Sequence, residues 1–171
     1  MSHVTRTTVD LSDHPDLVVI YLGMRVRTPR GMRTLRTLAR EIERAAAAKP
    51  EGLLRHETLW YSLLPPHGGM RQYWHNFDAL ERWARSLPHK QWWGRFLRDS
   101  AGTGFWHETY FLHGGIEAIY DDMPAPLGLL SFAPPQPAKG AMFSARRRAG
   151  LEGNPLAPVV PEAELENSPT N

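Results

Sequence analysis

Residues 102–115 read GTGFWHETYFLHGG, an aromatic and threonine-containing run closed by glycines at both ends. That composition between turn residues is the pattern of a β-strand. Two residues able to move protons, His107 and Glu108, stand side by side in it. Neighbours on a strand point to opposite faces, so only one of them can face a given pocket. Phe105, His107 and Thr109 share one face, and Trp106, Glu108 and Tyr110 share the other.

Working outward from this strand gives the topology. DLVVIYLGMRV (16–26) is rich in Val, Ile, Leu and Tyr and reads as a buried first strand. After a turn at RTPRG, the segment MRTLRTLAREIERAAAA places Met32, Leu35, Leu38, Ala39 and Ile42 at helical spacing, and KPEG ends that helix. LLRHETLWYSLL (53–64) reads as a second strand, PPHGG as a turn and MRQYWHN (70–76) as a third strand. In FDALERWARSLPHKQWWGRFLRDS, Leu80, Trp83, Ala84 and Leu87 share one helical face. Beyond Pro88, the residues Trp92, Trp93, Phe96 and Leu97 form a second apolar stripe. The run at 102–115, followed by IEAIYDDM, supplies a final strand or hairpin. The order β-α-β-β-α-β is the split arrangement of ferredoxin-like α+β domains.

Such a sheet carries helices on one face only, and its other face needs a cover. VVIYLGM, LWYSLL and FWHETYF bear large apolar groups at both odd and even positions, as strands buried on both faces do. A symmetric homodimer that packs two sheets together meets that need. From Pro124 the chain is Pro- and Gly-rich and unsuited to long regular elements, yet Leu127, Leu129, Leu130 and Phe132 mark it as a packing arm. The expected organisation is a flexible N-terminus (1–14), an α+β domain (15–123), an extended arm packing on the dimer (124–148) and a disordered tail (149–171).

Composition narrows the function. The 171 residues contain no cysteine, which excludes disulfides, thiolate nucleophiles and Cys-ligated metals. The formal charge is +2. The tail from Leu151 carries four Glu and no Lys or Arg, so the first 150 residues stand at +6, from 20 basic and 14 acidic residues. No nucleic-acid-binding signature accompanies these cations, which read as a solvated helix face rather than a nucleic-acid surface. No apolar run approaches the roughly 20 residues of a membrane helix, and the first residues do not resemble a signal peptide, so cytoplasmic residence is expected. Dinucleotide, P-loop and nucleophile-elbow motifs are lacking, and the histidines show no three-ligand spacing for zinc.

LVVIYLGMRV, MRQYWHNFDALERWARSLPHKQWW and GFWHETYF…GGIEAIYDDMP resemble a monooxygenase-like family described after a member from a fungal terpenoid–polyketide (fumagillin) cluster. The resemblance spans roughly residues 15–148, and WHETY followed by EAIYDDMP is its most specific part. More loosely, QYWHNFDALERWARSLPH is similar to the W-x-x-S-x-x-H segment of antibiotic-biosynthesis monooxygenases. The resemblance implies a dimeric α+β barrel with a pocket between sheet and helices in each subunit. It further implies a monooxygenase-like enzyme acting on a small hydrophobic polyketide, terpenoid or aromatic metabolite. The relatives include cofactor-free oxygenases, haem-dependent oxygenases, aldoxime dehydratases and non-catalytic members, so both cofactor-free and haem-dependent chemistry, and a binding barrel without turnover, stay open.

In the cofactor-free reading, His107 or Glu108 is the catalytic base, and Tyr73, Trp74, Trp106, Tyr110, Tyr21 and Trp60 shape the substrate pocket. In the haem reading, His89 is the axial ligand, at the position where related haem-degrading enzymes carry their proximal histidine. His56 and Glu57 repeat the adjacent acid–imidazole pair on the second strand, with His56 expected outward. His67 and His113 fall in expected turns, and Asn76 is placed to cap the second helix.

Overall fold

In the computed structural model, the described residues are 4–112, 118, 120–121, 128–148, 154 and 162–163. In chain order the elements are β1 (Arg6–Val9), β2 (Val18–Val26), α1 (Pro29–Ala47), β3 (Leu53–Leu63), β4 (Pro66–Trp74), α2 (Phe77–Ala84), α3 (Leu87–Arg98), β5 (Thr103–Phe111), β6 (Tyr120–Asp121), β7 (Pro135–Pro137) and α4 (Ala145–Arg148). They divide into a unit of residues 16–111 and a second unit formed by 1–15 with 112–171.

The first unit is ferredoxin-like. Its antiparallel sheet has the order β3-β4-β2-β5, with β2 paired to β4 on one side and to β5 on the other. α1 starts at Pro29 rather than at Met32, because proline at the first helical positions arrives with helical φ and no donor to satisfy. Gly31 in that first turn is dictated by packing: a Cβ there would lie 2.2 Å from the carbonyl oxygen of Gly102. Asn76 caps α2 as expected, its Oδ1 accepting the Ala79 N–H at 2.9 Å. Val18, Trp74, Ala79 and Leu80 form a buried cluster, with Ile20, Leu53 and Trp83 packed on it.

Two local readings change. PPHGG is not a turn: β4 begins at Pro66, so His67, Gly68 and Gly69 are strand residues paired with Arg25, Met24 and Gly23. Of the two glycines, Gly69 serves close packing, since a Cβ there would sit 2.2 Å from the Leu22 carbonyl oxygen. The domain limits also shift. The unit ends at Phe111, and Tyr120–Asp121 pair with β1 instead of extending the larger sheet.

In the second unit, β1 lies between β6 and β7. The N-terminal stretch expected to be flexible therefore contains a strand, held on one side by Thr7–Val9 against Pro135–Pro137. Gln136 reinforces it by donating from Nε2 to the Val9 carbonyl at 3.1 Å. Of the tail expected to be disordered, only 154 and 162–163 fall among the described residues. There the Glu162 carboxylate accepts the Gly140 N–H at 2.9 and 3.0 Å. His113 and the arm residues 124–127 lie outside the described residues.

Candidate functional site

Register decides which residues face the helices. β2 presents Leu22 and Met24 toward α1, and the ladder pairs Leu22 with His107 and Met24 with Phe105. The even-numbered positions of β2 and β4 and the odd-numbered positions of β5 thus share the helix side. Between that side and the helices lies a cavity of about 310 Å³. This is at the small end of the roughly 300–1,000 Å³ typical of ligand pockets. Its walls are apolar: Leu35, Leu38 and Ile42 from α1, Met24 and Met70 from the sheet, and Trp83, Trp92 and Phe96 from α2 and α3. Trp60 stands at its mouth, 62% exposed.

Two histidines interrupt this lining, along with Thr58, Glu43, Arg36 and Arg40. His89 sits in the first turn of α3, its ring 5.3 Å from Trp83 and 6.0 Å from Trp92 between centroids. Burial pushes its pKa below the ordinary 6.5, against a hydrogen bond to the Ala84 carbonyl, and the charge of His107 lowers it further. At neutral pH the ring is therefore uncharged, and a neutral imidazole carries a lone pair on one of its nitrogens. His56 also lines the cavity, together with Thr58 and Glu43. The expectation that His56 faces outward is overturned: it pairs with Gln72 on the helix side, while its neighbour Glu57 pairs with Arg71 and takes the other face.

Most of the expected pocket residues fall elsewhere. Trp106, Glu108 and Tyr110 of β5 and Tyr21 of β2 point away from the helices, because Tyr21 pairs with Glu108 one residue out of phase with the cavity positions. Tyr73 shares that opposite face, and the Arg71 guanidinium lies 5.3 Å from the centre of its ring. Trp74 is on the cavity's side of the sheet but wholly buried in the core cluster. His107 has the correct face, yet it is exposed and stands beside the cavity residue Phe105, 6.0 Å between ring centroids, instead of lining the cavity. Trp60 and His89 are the two expected residues that reach the cavity.

The opposite face holds its own polar network. Arg71 donates to Glu57 at 2.6 Å and to the Tyr21 hydroxyl at 2.8 Å. Burial opposes its charge, but these partners outweigh burial and hold its pKa above the ordinary value. The Tyr110 hydroxyl donates to Glu108, which raises the Tyr110 pKa. Trp106 Nε1 donates to His67 Nε2 at 2.9 Å, in space that Gly23 leaves open by having no Cβ. Burial, aided by Arg25, lowers the His67 pKa. A carboxylate bound to a tyrosine and an imidazole that accepts from an indole are already engaged, which suits structure more than proton abstraction.

Among the described residues, no cluster of three His, Asp or Glu is placed to hold a metal ion, and no helix is long and apolar enough to cross a membrane. For haem, the donor chemistry fits: His89 offers a neutral imidazole nitrogen beside an aromatic wall of Trp83 and Trp92.

A ferredoxin-like sheet with a ligand-sized cavity under its helices defines the chain as an α+β protein of the ferredoxin-like class. The chain belongs to the monooxygenase af470-like family, whose model matches residues 17–129. Among solved structures it is similar to an aldoxime dehydratase in complex with butyraldoxime, at 22% identity and a TM-score of 0.63, over 85% of this chain and 42% of that one. A second aldoxime dehydratase matches at 19% identity and a TM-score of 0.60, over 78% and 39% of the two chains. SnoaB, a cofactor-independent oxygenase from Streptomyces nogalater, matches at 20% identity and a TM-score of 0.43, over 56% and 91%. The chain spans less than half the length of the aldoxime dehydratases it matches, and the likeness to them is one of fold. A sequence search of curated proteins returned no match.

Proposed function

We propose that this chain is a monooxygenase-like enzyme that oxidises a small hydrophobic polyketide, terpenoid or aromatic metabolite in the helix-side cavity, with His89 as general base. The observation that carries this reading is an imidazole in the wall of a largely apolar cavity, packed against Trp83 and Trp92 and held neutral by burial, so that one nitrogen carries a lone pair. In this reading His107 and Glu108 are not the base, because Glu108 lies on the face away from the helices and His107 is exposed outside the cavity lining. In the cofactor-free reaction, His89 takes a proton from a methylene carbon made acidic by a neighbouring phenol or enone. The carbanion passes one electron to O2, and the radical pair joins as a hydroperoxide. Loss of water then leaves a carbonyl, so one oxygen atom enters the product, the other leaves as water, and no outside reductant is consumed. The family to which the chain belongs supports oxygen chemistry. Exposed Tyr61 and Tyr110 on the face away from the helices support a working homodimer with two sheets packed together.

Oxygen uptake with a panel of hydroxyanthrones and naphthols tests the reading. Uptake with one product carbonyl per O2, reduced about 100-fold or more in His89→Gln and retained in Glu108→Gln, supports it. Equal uptake by His89→Gln and the parent protein overturns it.

The same lone pair supports a second reading, in which His89 would hold haem iron through that nitrogen, with Trp83 and Trp92 in the surrounding wall and the exposed Arg36 and Arg40 available to its carboxylates. Haem, when bound, supplies redox and Lewis-acid chemistry at its iron. A Soret band on adding haemin, lost in His89→Ala, favours that reading, and colourless protein that ignores haemin removes it.

A further inference from the structure

The hydrogen-bond order around His56 can be read from donor chemistry alone. An indole N–H only donates. Trp74 Nε1 lies 3.2 Å from Gln72 Oε1, so the Gln72 carbonyl must face Trp74 and its amide nitrogen must face the other way. That nitrogen lies 3.1 Å from His56 Nδ1. An amide nitrogen also only donates, so His56 Nδ1 must accept, and the proton of the neutral ring resides on Nε2. Trp74 and Gln72 are both wholly buried, so water cannot replace either partner and the order is fixed from inside the core.

Among the described residues, the Nε2–H that results has no hydrogen-bond partner although the atom is buried. Glu43 Oε1 is 3.5 Å away without hydrogen-bond alignment, and that oxygen already accepts the Thr58 hydroxyl. A buried donor left unpaired costs about 1–3 kcal/mol, and protein structures rarely leave one without a reason. His56 itself lines the cavity, and its Nε2 is closed off with the half-exposed Glu43 side chain beside it, so a ligand oxygen reaches the donor by displacing Glu43.

We propose that His56, fixed as an Nε2–H donor by the Trp74–Gln72–His56 chain, binds an oxygen of the ligand, so that the cavity selects carbonyl, enolate or phenolate compounds over hydrocarbons of the same shape. The inference rests on the cavity being the ligand site, and it supplies what that reading lacks. As His89 removes a proton, negative charge builds on the substrate oxygen, and a neutral donor aimed at that oxygen stabilises it. His56 is thereby a specificity-determining residue, and Gln72 and Trp74 are positioning residues that act through it.

The test compares 1-tetralone with tetralin, which share a ring skeleton and differ in the ketone oxygen, by calorimetric titration of the full chain. Tetralin reports the cavity, and the difference between the two reports the donor. The parent protein is expected to prefer tetralone by about tenfold, the worth of one good hydrogen bond. His56→Gln, whose amide nitrogen falls near the position of Nε2, retains the preference. His56→Asn, which reaches only as far as Nδ1, loses it while binding tetralin as before. In protein carrying 15N-labelled histidine, the Nε2–H signal of His56 moves with tetralone and not with tetralin. Equal binding of both compounds by the parent protein, or an undiminished preference in His56→Asn, overturns the inference and leaves the cavity reading standing. Binding of neither compound overturns both.

Discussion

Gly68 and Gly69 are adjacent on β4, and replacing each by alanine should move stability in opposite directions. A Cβ on Gly68 enters the helix side, with its nearest neighbours Leu35 Cδ1 at 3.5 Å and Trp60 Cζ3 at 3.7 Å. Those are ordinary contacts, and the methyl fills space at the wall of the cavity. Burying one carbon contributes about 0.8 kcal/mol. Removing a glycine's freedom from the unfolded chain adds about 0.4–1 kcal/mol. Gly68→Ala should therefore stabilise by about 1–2 kcal/mol, raising Tm by about 2–8 °C for a chain of this length. A Cβ on Gly69 would stand 2.2 Å from the Leu22 carbonyl oxygen and 2.6 Å from Tyr61 Cε2. The carbonyl cannot retreat without opening the β2–β4 ladder, so Gly69→Ala should destabilise by about 1–3 kcal/mol or more. Urea unfolding followed by tryptophan fluorescence measures both. Destabilisation by Gly68→Ala comparable to that by Gly69→Ala would refute the register and the placement of the cavity wall.

Because the folded-state pKa of His89 lies below its ordinary 6.5, the unfolded chain binds more protons than the folded one once the pH drops through 6.5, and stability falls from there toward the folded pKa. His89→Gln should flatten this acid-side loss in urea-unfolding midpoints measured from pH 7 to 5, and an unchanged slope would contradict the burial of His89. Trp74→Phe removes the donor to Gln72 Oε1 in the core, so it should cost about 1–3 kcal/mol for the stranded carbonyl beyond any loss of packing, read as a lowered urea midpoint. Light scattering at micromolar concentration should give twice the 19.4 kDa of the chain, and a monomer would remove the paired-sheet arrangement.

The split β-α-β-β-α-β order was legible because each element declares itself locally. The Leu35–Leu38–Ile42 stripe of α1 and the Asn76 cap depend on neighbours in sequence. Which set of alternating residues on β5 meets the helices is different in kind. Period two sorts Trp106, Glu108 and Tyr110 from Phe105, His107 and Thr109, but only the pairing of Leu22 with His107 says which set faces inward. The inward facing of His56 is hidden for a related reason: a polar residue on a strand reads as solvent-facing, and its inward position shows only once Gln72 and Trp74 are seen behind it. The place of His67 is hidden because a glycine pair after two prolines has turn chemistry, whereas here Gly69 admits the close β2 backbone and the Tyr61 ring. The segment from 112 onward joins β1 through pairings across more than a hundred residues, which no local pattern announces.

The central claim is that small aromatic ligands enter between α1 and the sheet. The six methionines allow it to be tested in one spectrum. Met24 and Met70 line the cavity, whereas Met32 and Met142 do not. Titrating 1-naphthol into protein labelled with 13C at the methionine methyls should shift the Met24 and Met70 signals saturably and in parallel, and leave those of Met32 and Met142 in place. Saturable binding that leaves both Met24 and Met70 unmoved would contradict the account.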